Sequence, residues 1–140
     1  MGLFAPYLLI SISALAVACA TPFVTQPLVS CESGDSVMIR DVLFFGRYRP
    51  GGEVSDDEWR QFLDEVITPR FPTGVTVMDA RGQWQTMNGV IEREPSLVVI
   101  LIHAGDESSR RKIQEISAVY RRDFEQEAVL RERSHTCVRY

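Results

Sequence analysis

The run Leu97–Ile102, LVVILI, is an unbroken apolar stretch rich in β-branched side chains. A strand with one wet face alternates apolar and polar residues, so a strand without a polar face lies inside a sheet and is covered on both sides. Val42–Phe45, VLFF, makes the same demand within the strand pattern Val37–Gly46. These two stretches require a sheet with two central strands and material packed against each of its faces.

The helices that supply part of that cover are readable from their ends. Ser55 followed by Glu58 forms a capping box, and Val54 and Trp59 occupy the positions of a hydrophobic staple. Asp56, Asp57 and Glu58 place negative charge on the first turn, where the helix dipole favours it. Trp59, Phe62, Leu63, Val66 and Ile67 recur at helical spacing, and Pro69 stops the helix. A second helix, capped by Asp106 or Ser108, buries Ile113, Ile116, Tyr120 and Phe124; its other side mixes charges of both signs, as a solvated face does. Between the helices, Pro69–Trp84 leads from helix end to strand to hairpin. Asn88-Gly89 signals the turn of that hairpin, and Pro95 predicts a bulge or a change of pairing in the return. A last strand is expected from about Ala128 to Val138.

The order strand, helix, strand, strand, helix, strand predicts an α+β fold. The expected form is a ferredoxin-like βαββαβ sandwich, with a four-stranded antiparallel sheet and two helices on one face. The first strand then lies antiparallel to the last. Cys31, before the first, comes close to Cys137, at the end of the last, and a disulfide between them fits an oxidising compartment. The helix-free face needs its own cover: a second copy of the chain, the tether or a ligand.

The N-terminus points to such a compartment. Leu8–Ala20, LLISISALAVACA, is short for a membrane span and right for a signal-peptide core. Ala16-Val17-Ala18 is a small-residue cleavage site, and with Cys19 it resembles a lipobox. Two features depart from the usual pattern. Ala16 stands where a lipobox has leucine, and no Lys or Arg precedes Arg40, which leaves a retained N-terminal anchor as the alternative. The expected organisation is a signal peptide over 1–18, a tether over 19–36 and one domain over 37–140, exported to the periplasm or envelope and membrane-anchored if Cys19 is lipidated. With Cys19 modified, the remaining two cysteines pair. A net charge of −4 argues against nucleic-acid binding, which needs a basic surface.

The runs RDVLFFGRYRPGGEVSDDEWRQFLDEVITPRFPTGVTVMDARGQW, REPSLVVILIH and FEQEAVL…CV together resemble a small bacterial family known as domain of unknown function 3574. The likeness covers about Arg40 to Val138. It rests on Gly46-Arg47, Trp59, Pro69 to Pro72, Asp79-Ala80, Gly82 to Trp84 and Arg93-Glu94. It implies exported or lipid-anchored single-domain proteins and carries no activity with it.

Chemistry is sparse. Arg47, Arg70, Asp79, Arg81 and Glu94 form a polar set that either converges on a small anionic ligand or holds loops by ion pairs; arginine suits the first because it binds carboxylate and phosphate bidentately. Trp84 near the hairpin is either a recognition aromatic or a cross-strand packing residue. Asp41, a carboxylate in an apolar strand, is a candidate acid–base group or a salt-bridge partner. His103, His135 and Cys137 lack a metal-ligand spacing, and no nucleophile elbow, phosphate loop or dinucleotide fingerprint occurs; no metal or cofactor is expected. The leading expectation is a non-enzymatic cell-envelope domain that binds a small anionic ligand or an envelope protein. The alternative is a small dimeric enzyme, monooxygenase- or isomerase-like, that uses Asp41 or Asp79.

Overall fold

In a computed structural model of the chain, residues 29–140 are described. The expected signal peptide, Cys19 and the first part of the expected tether lie outside the described residues. Six strands and two helices follow in order: β1 (Ser36–Gly46), β2 (Tyr48–Arg49), β3 (Gly52–Glu53), α1 (Asp56–Phe62), β4 (Thr76–Gln85), β5 (Ile91–His103), α2 (Glu107–Asp123) and β6 (Leu130–Val138). The four long strands form one antiparallel sheet in the order β4-β5-β1-β6, and β2 and β3 make a small separate hairpin around Pro50-Gly51. The two apolar runs thus lie on the central strands β5 and β1.

Pleating sends alternate residues to opposite faces. The register pairs Leu43 with Val99 and Phe45 with Leu97, so the odd-numbered side chains of β1 and β5 share a face. They pack into one core with Trp59, Phe62 and Ile67 from α1 and its extension and Ile113, Ile116, Tyr120 and Phe124 from α2. Phe45, Trp59, Phe62, Tyr120 and Phe124 form a continuous aromatic cluster, with Phe45 and Tyr120 edge-to-face at 4.7 Å. Each such contact adds about 0.5–1.5 kcal/mol beyond area burial. The even-numbered face carries no helix. Its apolar residues grade from buried Val42 and Val98 at the centre to exposed Met78 on β4 and Leu130 on β6.

The predicted helix ends are present. Ser55 accepts from the Glu58 N–H while Glu58 accepts from the Ser55 N–H, and Val54 and Trp59 are both buried. The last turn, Leu63–Ile67, widens to π-helical bonding, with the Thr68 N–H donating to Leu63 O at 2.8 Å. Asp106, not Ser108, caps α2.

The β4–β5 hairpin departs from expectation in two ways. Its turn is a three-residue loop, in which the Gly89 N–H donates to Thr86 O and Gly89 alone adopts positive φ (80°). This is the turn-plus-left-handed-residue solution rather than the two-residue one. Pro95 causes no bulge: β5 runs unbroken past it against β4, with Arg81 opposite Pro95 and Gly82 opposite Glu94, while its pairing with β1 begins only at Ser96. The reason lies in its orientation. In an antiparallel strand a residue's N and C=O point to the same side. The Pro95 carbonyl accepts from the Arg47 N–H at 3.1 Å, so its missing N–H faces the end of β1, not β4. The Arg47 carbonyl that this N–H would have met accepts instead from the Val54 N–H at 2.8 Å.

β6 pairs with β1 over its whole length, from Ser36–Val138 to Phe44–Leu130. Cys31 and Cys137 are joined as a disulfide, with Cα atoms 5.6 Å apart across 106 residues of sequence. Such a bond fits an oxidising compartment. Among the described residues no helix is long and apolar enough to cross a membrane.

Candidate functional site

The five-residue polar set does not converge. Arg47 follows β1, and its guanidinium donates to Val54 O and pairs with Asp56 and Glu53, which ties β1 to the start of α1. Arg70 sits beyond the far end of α1, where it donates to Val66 O and pairs with Glu115 of α2 at 3.2 Å. These arginines hold elements together. Asp79 and Arg81 are both exposed and share the odd face of β4, as their spacing requires. Glu94 is on the even face of β5.

Asp41 is sealed. It has no exposed surface, and three donors converge on its two oxygens. Arg131 Nε and Nη2, from β6, lie 2.8 Å from Oδ1 and Oδ2, and His103 Nε2 lies 2.7 Å from Oδ2. The Gly105 N–H donates to His103 Nδ1 at 3.0 Å, so the proton that His103 gives to Asp41 sits on Nε2. Burial pushes the Asp41 carboxyl up, but hydrogen bonds from Arg131 and His103, with the Arg131 charge, outweigh it and hold the group below its usual range. A general base must reach a substrate proton, and Asp41 has no exposed surface from which to do so. Neither Asp41 nor Asp79 lines any of the three cavities described here. Among the described residues no metal-binding cluster of His, Cys, Asp and Glu occurs.

What the fold does build is a groove of about 320 Å³ beside the end of β1, floored by the helix-free face. Its floor is small residues: Gly46, Ala80, Gly82 and Ser96. Apolar walls come from Phe44, Val98 and Leu130, with Trp84 at the β4 edge and Gln126–Ala128 after α2. The glycines leave room for the side chains around them. A Cβ on Gly46 would overlap the Glu94 carboxylate, and one on Gly82 would sit 3.0 Å from Ser96 Oγ. The floor is tied to the core through Tyr120, whose hydroxyl donates to Gly46 O at 2.8 Å; burial pushes that phenol well above its usual range. Gln126 Nε2 reaches Tyr48 O at 2.7 Å and fixes the outer wall.

Two polar groups here have unmet capacity. The Trp84 Nε1–H is buried and has no partner among the described residues. Glu94 is half-buried and accepts the Tyr48 N–H at 3.0 Å, but no basic group lies within 4 Å of it among the described residues. Arg81, Trp84 and Glu94 of the sequence candidates therefore line one groove, while Arg47, Arg70 and Asp79 do not. Phe44, Ser96, Leu130 and Gln126–Ala128 were not among the sequence candidates. The apolar residues look like ordinary core, and nothing in the loop's sequence says that it folds against a hairpin some forty residues earlier.

Solved structures resemble this fold, two of them of one phage enzyme. One is described as a phage SAM lyase in complex with S-methyl-5′-thioadenosine: TM-score 0.57, 16% identity, covering 82% of this chain and 97% of that one. The other is the phage SAM lyase in its apo state, with TM-score 0.54, 17% identity and coverage of 81% and 97%. At such identity the likeness concerns the fold. No curated protein matches the chain. A family model described as protein of unknown function (DUF3574) matches residues 40–140, and the chain belongs to that family.

Proposed function

We propose that this chain is an exported cell-envelope domain that binds a small molecule in the groove between Trp84 and Leu130. The observation that carries the reading is the pairing of a glycine-floored apolar cavity with two unsatisfied polar groups, the Trp84 indole N–H and the Glu94 carboxylate. Small-molecule sites have this composition: mostly apolar walls with a few polar groups that fix orientation. The ferredoxin-like reading of the sheet order β4-β5-β1-β6, with both helices packed on one face, belongs to the same proposal. So does export: the signal-like N-terminus and the Cys31–Cys137 disulfide support it, with Cys19 as the lipidation site. Of the arginines that suggested an anionic ligand, Arg47 and Arg70 are engaged in ion pairs, and Arg81 stands exposed on the odd face of β4, so the groove supplies the reading without them.

The test is heteronuclear NMR of the purified protein against a metabolite panel. The chain has two indole N–H reporters, Trp84 in the groove and Trp59 in the core. Saturable shifts of the Trp84 signal, abolished by Gly82→Leu with the Trp59 signal unmoved, are expected. A panel that never moves Trp84 would remove the reading. Incorporation of labelled palmitate, lost in Cys19→Ala, tests the anchor; an unlabelled wild-type protein would argue against it.

A second reading follows from the fold likeness to a phage SAM lyase. In it the groove holds a nucleoside thioether and the chain turns over SAM. S-methyl-5′-thioadenosine and SAM therefore belong in the panel. Release of S-methyl-5′-thioadenosine from SAM, lost in Glu94→Gln, would favour this enzyme reading; binding without turnover would end it.

A further inference from the structure

The groove opens at Trp84 into a second, broader hollow of about 710 Å³, and the two share Trp84, Glu94, Gln126 and Glu127. Their linings differ in kind. The first is mainly apolar. The second is ringed by Glu53, Glu92, Glu94, Glu125 and Glu127, drawn from β3, β5 and the loop after α2. Its one basic lining residue, Arg49, is already paired with Glu58 at 2.8 Å. Glu53 is held by Arg47 at 3.3 Å. The other four glutamates have no basic partner within 4 Å among the described residues. Carboxylates brought together without counter-charge repel one another, and an incoming cation relieves that repulsion. Trp84, the wall common to both spaces, is the best of the aromatic side chains for holding a cation over its ring.

We infer that the occupant of this site is a small organic cation with a flat apolar body. The ring system enters the glycine-floored groove beside Phe44 and Leu130, and the positive charge lies between the Trp84 indole and Glu94. Charge complementarity decides the sign of the ligand. An anion at the same place would meet Glu94 and Glu127, while Arg81, the lining guanidinium without an ion pair among the described residues, stands on the odd face of β4, away from the groove floor; a neutral ring would leave the half-buried Glu94 charge uncompensated. This inference rests on the groove being a binding site, and it reverses the sign expected from the arginines in the sequence.

The experiment uses three probes of one shape and different charge: 1-methylquinolinium, quinoline and quinoline-4-carboxylate. Each is titrated into the purified protein while the two indole N–H signals are followed by NMR. The expected order of affinity is cation, neutral ring, anion, with steps of about tenfold, the size of a partly desolvated cation–π contact together with one carboxylate. Added salt should weaken only the cation. Glu94→Gln keeps an acceptor for the Tyr48 N–H and removes the charge, so it should lower cation affinity about tenfold and tighten quinoline, narrowing the gap between the two. Glu127→Gln, on the exposed rim, tests the same point if the first variant folds poorly. Saturable binding of quinoline or its carboxylate at least as tight as the cation would overturn the inference and leave the groove reading standing. If none of the three moves the Trp84 signal, the inference fails, and the groove reading stands or falls on the metabolite panel.

Discussion

Replacing Asp41 with asparagine removes one negative charge from the centre of the domain and should be among the most damaging isosteric changes in it. Three donors meet two carboxylate oxygens there, at 2.7–2.8 Å. An amide offers one oxygen and turns an NH₂ toward a guanidinium or an imidazole N–H, so at least one donor loses its partner and meets another donor. Breaking a buried ion pair from one side costs about 3–5 kcal/mol because the other charge is stranded. The Arg131 side chain is 26% exposed and regains part of its hydration, which places the expected loss near the lower end, about 3 kcal/mol. For a domain of this size that is a large part of a total of about 5–15 kcal/mol, and it should lower Tm by roughly 10–20 °C. Urea unfolding followed by circular dichroism at neutral pH measures it. Arg131→Met strands the carboxylate instead and should cost a similar amount, while the double variant should cost clearly less than the sum. The pH dependence has a definite sign. The folded-state pKa of Asp41 is lowered, so its contribution is complete above about 3.9, the unfolded value, and is lost as pH falls through the folded value. The Asp41→Asn protein should therefore lose less stability than the wild type on acidification below about pH 4. A cost under about 1 kcal/mol, strict additivity with Arg131→Met, or identical acid profiles would refute the reasoning.

Three further outcomes are expected. Reducing the Cys31–Cys137 bond reopens a loop of 106 residues and should cost at most about 4–5 kcal/mol on the chain-entropy account, read as a shift of the urea midpoint with reductant; an unchanged midpoint would contradict it. Glu125 follows α2 at φ 52°, where the Gln126 N–H closes back on Arg121 O in the manner of a helix-ending glycine motif. Glu125→Gly should accordingly stabilise the domain by about 1 kcal/mol in the same assay, and a loss of stability would count against it. Gly105 has φ 80°, and a Cβ there would run into Ile39. Gly105→Ala should destabilise by about 2 kcal/mol or more, and its thermal melt should lie below that of the wild type; a neutral result would mean that β1 and this loop yield more easily than their packing indicates.

Local signals were decisive wherever a residue's role depends on its near neighbours. The capping box at Ser55 and Glu58, the stop at Pro69, the stripe from Ile113 to Phe124 and the two apolar central strands are all set by spacing within a few turns or pleats, and they appear as the spacing requires. The order of elements also brought Cys31 to Cys137, because antiparallel neighbours at the two ends of a chain must place their opposite termini together. Pro95 ends the pairing with β1 without bulging the ladder to β4, because the effect of a proline depends on which side of a strand its missing N–H faces, and that side is chosen by strands far away in sequence.

The site was decided by the tertiary structure for the same reason. Arg47 and Arg70 share a residue type with Arg81, but their partners come from other elements, Asp56 for one and Glu115 for the other, and those partners take them out of any site. The groove exists because three separate segments meet where β1 ends: the glycine-rich part of β4, the stretch around Glu94 in β5 and the loop after α2. Sequence alone determined the segments, their periods and their caps, since these are short-range steric and hydrogen-bonding preferences. Which polar groups were left without partners was settled only by packing, because an unsatisfied charge is a property of everything around it.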